Sequence, residues 1–187
     1  MRKFTAAALA LLFVSTATGG GLPGSEIDDL WFKVKLKTKG YAYDGPLADA
    51  EKATFSATFF LNLDLVEMVD VANVIYTVTT WSETAPDVWE AVDSDSEFFE
   101  PETGPDIYLF RFMDPNVTLP DGSVMQCDSV LALRPSKVGE TGDVEKAKLE
   151  SLAMTATGTL ADGSLFTGGG TLKGKSVDIE DLPFSPN

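Results

Sequence analysis

The chain has 187 residues, 44% of them hydrophobic and 23% charged, with 29 acidic against 14 basic residues and a formal net charge of −15. That is the material of one ordinary globular domain. It holds no histidine and a single cysteine, so a histidine-based triad, a His-ligated haem or zinc, a CxxC redox centre and a four-cysteine zinc site cannot be built from one copy.

Residues 1–19, MRKFTAAALALLFVSTATG, are organised as a secretory signal. Arg2 and Lys3 form a positive n-region, 6–14 an apolar run, and Ser15 with Ala17, or Ala17 with Gly19, a small-x-small cleavage site. Nine apolar residues rise only about 14 Å as a helix, too little to cross a hydrocarbon core of about 30 Å. The expected organisation is therefore a signal peptide at 1–19, a flexible leader at 20–26 and a single β-domain at 27–187. The domain would be periplasmic or secreted, with no membrane span after signal removal. Cleavage takes away two basic residues and leaves all 29 acidic ones. Such a field repels nucleic acid and anionic lipid and attracts cations and basic proteins.

In chain order, LWFKVKLKTKGYAY from Leu30 alternates strictly, Phe32, Val34, Leu36 and Thr38 on one face and Lys33, Lys35, Lys37 and Lys39 on the other. This is a strand with one buried side. KATFSATFFLNLDL from Lys52 puts Ala53, Phe55, Ala57, Phe59, Leu61, Leu63 and Leu65 on one face, and only Phe60 breaks the polar character of the other. A third strand is expected over 69–81, rich in β-branched and aromatic residues, and a short fourth over 88–92 before an acidic loop. Strands at 106–113, 123–133, 149–160 and 165–179 complete a set of about eight. Turn sequences separate several of them: Asp44-Gly45-Pro46, Pro120-Asp121-Gly122 and Ala161-Asp162-Gly163. Over 143–154, helix formers behind Asp143 compete, and a helical turn or loop leading into a strand by Leu149 is expected. The fold class is all-β, about eight mostly antiparallel strands in a meander, closed as a barrel or folded as a sandwich. An outer-membrane barrel fits worse, because Lys33 to Lys39 and Asp64, Glu67 and Asp70 suit no lipid-facing band.

Four lysines at i, i+2, i+4 and i+6 make one cationic stripe. It suits an acidic partner or a sulfated or carboxylated polymer, or else is a solvated face or a guarded edge strand. Strand parity places Trp31 with the lysines and Trp81 with Thr77 and Thr79, so both indoles are expected on the polar face, where they could stack on a sugar or a protein. Asp93, Asp95 and Glu97 have the spacing of Ca²⁺ ligands in a loop, but the EF-hand positions for glycine and glutamate hold Phe98 and Gly104, so the metal signal is weak. Cys127 shares parity with Met125 and Leu131 and is expected to be buried and inert. The Gly168-Gly169-Gly170 run suits a bulge or a close strand crossing rather than a phosphate loop, since no helix pattern follows.

These residues read as an exported, non-enzymatic β-domain with a binding or structural role. No cofactor is implied. The expected partner is a glycan or a cell-envelope protein and not nucleic acid, with Trp31, Trp81, Lys33, Lys35, Lys37 and Lys39 as the contact residues. One alternative is a barrel carrying a small apolar ligand against Phe32, Leu36, Phe55 and Phe59. Another is a glycan-active enzyme using a carboxylate pair.

Overall fold

The computed structural model describes residues 27, 29–46, 49–70, 73–101, 108–112 and 116–186. The expected signal and leader lie outside the described residues. Among the described residues nine strands form one antiparallel sheet: β1 (Leu30–Tyr43), β2 (Glu51–Asp70), β3 (Asn73–Ala85), β4 (Val88–Pro101), β5 (Tyr108–Phe112), β6 (Asn116–Thr118), β7 (Val124–Val138), β8 (Val144–Thr159) and β9 (Leu165–Ser176). Their order is β5-β4-β3-β2-β1-β9-β8-β7-β6, and β5 pairs in addition with β7. A single 3-10 turn, Ile179–Asp181, follows β9.

The alternation in β1 works as its sequence implies. Phe32, Val34, Leu36 and Thr38 are buried to 1% exposure or less, while Lys33, Lys35, Lys37 and Lys39 are exposed. Phe59, Leu61 and Leu63 of β2, Met125, Cys127, Leu131 and Leu133 of β7, Leu149 and Ala156 of β8, and Phe166 and Leu172 of β9 belong to the same core. Full burial of one such large apolar side chain is worth roughly 1.5–3 kcal/mol. β1 is flanked on both sides, by β2 from Leu30 to Ala42 and by β9 from Phe32 to Tyr43. Its lysines therefore guard no sheet edge.

Three hairpins share one turn chemistry. The Leu119 N–H donates to the Ser123 carbonyl at 2.8 Å across Gly122 at φ +88, and the Leu160 N–H to the Ser164 carbonyl at 2.8 Å across Gly163 at φ +87. Gly139 and Asp143 repeat the bond at 2.8 Å across Gly142 at φ +96. Only glycine enters this left-handed region without strain. The third hairpin corrects the helix expected behind Asp143, since the chain enters β8 directly at Val144 with Val144, Ala147 and Leu149 turned into the core. Core-facing packing outweighs a weak helical propensity here.

The acidic loop expected after residue 92 is also corrected. It is part of β4, with Asp93 opposite Thr80, Asp95 opposite Val78 and Glu97 opposite Tyr76. The three residues thus hold alternate positions of an extended strand, about 6.6 Å apart along the backbone, and not of a loop. The glycine run in β9 makes the close crossing expected of it. A Cβ on Gly170 would lie 2.0 Å from the Lys37 carbonyl oxygen, and one on Gly168 would lie 2.4 Å from that of Lys39.

Candidate functional site

Pairing of β1 with β9 changes what the lysine stripe is. Lys33 stands opposite Lys175, Lys175 opposite Lys148, and Lys148 opposite Arg134, so four cations form a row straight across β1, β9, β8 and β7. At about 4.8 Å between neighbouring strands this row spans roughly 14 Å. Beside it runs a second row, in which Lys35 faces Lys173 and Lys173 faces Glu150. Together they line a groove of about 580 Å³, which holds six of the 14 basic residues. Lys37 and Lys39 belong to the stripe but not to this groove, because β9 offers them Thr171 and Gly169.

Like charges set directly opposite one another destabilise a sheet. Glu150 relieves one of them through a 2.7 Å ion pair with Lys173. The hydrogen bond from Lys173, then its charge, holds the Glu150 carboxyl below its ordinary value, and the Arg134 charge adds to the effect. Lys33 places its ammonium 5.8 Å from the centroid of the Phe60 ring, a cation–π contact.

The tryptophans lie on the side where parity puts them, but that side is covered at this end of the sheet. Trp31 lies on the lysine side of β1 but is only 7% exposed, and Trp81 is half-buried. Phe184 covers them. Its ring stacks on Trp81 at 4.7 Å and 12° and meets Phe60 and Trp89 at 5.5 Å and Trp31 at 6.0 Å. The segment that carries Phe184 is tied down before it arrives. The Val177 N–H donates to the Trp31 carbonyl at 2.9 Å, and Asp178 pairs with Lys146 at 3.4 Å. Beneath this cover the Trp31 indole N–H and the Asn62 amide both donate to one oxygen of Asp29, at 3.0 and 2.8 Å. Both faces of the sheet are thus buried at this end of β1, which is why Phe60, on the polar face by sequence, is 2% exposed.

A second groove of about 930 Å³ lies along the other flank of the lysines. Lys33 and Lys35 line it too, with Trp89 and the exposed hydroxyls Thr54, Ser56 and Thr58. Sequence reasoning found Lys33 and Lys35 but missed Lys148, Lys173, Lys175, Arg134, Trp89 and Phe184. Lys173 and Lys175 repeat the i, i+2 spacing of the first strand and could have been noticed; Arg134 and Lys148 carry no local signal.

Among the described residues no group of three or more His, Cys, Asp or Glu is placed to hold a metal ion, and no helix is long and apolar enough to cross a membrane. A scan against protein-family models, a search of curated proteins and a search of solved structures each returned no match for this chain.

Proposed function

We propose that this chain is an exported, non-enzymatic binding domain, an eight-stranded antiparallel barrel whose outer face over β1, β9, β8 and β7 binds an anionic polymer. Closure of the barrel is supported by the pairing of β5 with both β4 and β7, which leaves β6 as an appendage of β7. The observation that carries the binding role is the four-strand row Lys33, Lys175, Lys148 and Arg134. A fold gains nothing from placing cations opposite one another across three successive strand pairs, whereas a polyanion laid across the strands meets a charge at each step.

The acidic character of the chain does not oppose this. At physiological ionic strength the Debye length is about 8 Å, so a ligand on the row is governed by the six cations of the groove, offset by Glu150 alone among its lining residues, and little by carboxylates on distant strands. Of the residues expected to line a carrier's cavity, Phe32, Leu36 and Phe59 are buried and Phe55 packs edge-on to Phe166 at 4.9 Å, which favours the outer surface as the binding site.

The test is titration of the full chain, as exported by a host cell, with heparin, polygalacturonate and inorganic polyphosphate. At least one should bind with an affinity that falls steeply as salt rises, and Lys148→Glu with Lys175→Glu should weaken it tenfold or more. Absence of binding to all three would overturn the proposal.

A further inference from the structure

We infer that the anionic polymer is an acidic polysaccharide, which leaves the cationic row at Lys33 and continues into the neighbouring groove; this rests on the reading of the row as a polyanion site. Lys33 and Lys35 line both grooves, so the two form one surface divided only by the outward side chains of β1. The chemistry changes across that divide. On the β9 side six of the seven charged lining residues are cations, Glu150 being the exception. On the β2 side it offers the hydroxyls of Thr54, Ser56 and Thr58, the half-buried ring of Trp89, and three carboxylates, Glu83, Asp121 and Asp181.

Inorganic polyphosphate, which offers nothing but charge, with no neutral hydroxyl or apolar ring face along it, is attracted by the first half and repelled by the second. A polysaccharide whose carboxylate or sulfate groups are separated by uncharged hydroxyls suits both halves. Its acidic groups meet Lys175, Lys148 and Arg134, its hydroxyls donate to Glu83 and Asp181, and the apolar face of a sugar ring meets Trp89. The carboxylates act against competing polyanions while the lysines act for all of them, and selectivity is the difference. The segment held by Phe184 supplies Asp181, so the cover over the tryptophans also builds one wall of the groove.

The test compares oligosaccharides of polygalacturonate and heparin with inorganic polyphosphate of equal total charge, on the full chain. At least one of the two saccharides should bind tenfold or more tighter than polyphosphate. Glu83→Gln should narrow that ratio several-fold by improving polyphosphate binding. Thr54→Val with Ser56→Ala, both at exposed positions, should weaken the saccharide several-fold and leave polyphosphate unchanged. Polyphosphate binding as tightly as both saccharides, or ratios that none of these substitutions moves, would overturn the inference while leaving the polyanion site standing. Failure of every polyanion to bind would overturn both.

Discussion

Trp31 and Lys33 sit two residues apart on the same side of the same strand, yet one is 7% exposed and the other open to solvent. The difference is not in β1. At the Trp31 end a segment after β9 lays Phe184 over the sheet, and beside Lys33 stand the Phe60 ring of β2 and the cations of β9 and β8. One sheet face is therefore divided into a second small core and a solvated cationic surface, and the division is made by chain that arrives from elsewhere.

The sharpest way to break this comparison is truncation at each end of it. Trp31→Ala should cost about 3–5 kcal/mol in urea unfolding, and Lys33→Ala should stay within about 0.5 kcal/mol of the parent. Similar losses at the two positions would mean that the division does not exist. Phe59→Ala, on the inner face, should also cost about 3–5 kcal/mol, with Phe60→Ala close behind it because both rings are buried. A Phe60 value near that of an ordinary surface position would remove the second core. Phe184→Ala should cost less, about 1–3 kcal/mol, since its ring is partly exposed. It should also red-shift tryptophan emission and open the indoles to iodide.

On the cationic side the expected effects are smaller and of opposite sign. Lys175→Thr relieves repulsion from both Lys33 and Lys148, so at low salt the variant should be more stable than the parent by about 0.2–1 kcal/mol. The gain should disappear in 1 M NaCl, where the Debye length is about 3 Å. The smallest effect is that of Glu150. Its folded-state value is lowered by Lys173, so the contribution is present above the ordinary carboxylate range and is lost as pH falls through the lowered folded value. Lys173→Met should return the Glu150 titration, followed by carbon-detected NMR, toward its ordinary position.

The inner face of β1 was legible because alternation is local: every second residue from Phe32 to Thr38 is apolar or small, and each is buried. Two of the three glycine turns were legible for the same reason, and the third, Gly139 to Asp143, was hidden by the helix formers that follow it. The outward face was misread at Trp31 because parity tells which side a residue is on and not whether that side is covered. The cover comes from Phe184, at the opposite end of the chain. The site was half legible for a related reason. A row that crosses four strands depends on register between β1 and β9, β9 and β8, and β8 and β7, and no window along the sequence contains it.

The pairing of β1 with β9 also has a consequence in time. The first strand to be made finds its second neighbour only when the last has been made, and Phe184 reaches Trp31 later still. Contacts so distant in sequence are slow to form and leave strand edges and apolar faces open meanwhile. A chain built this way keeps the β1 edge and the Trp31 face open until β9 and Phe184 have reached them, and the docking of Phe184 is the step that ends their exposure to proteases and to other unfolded chains.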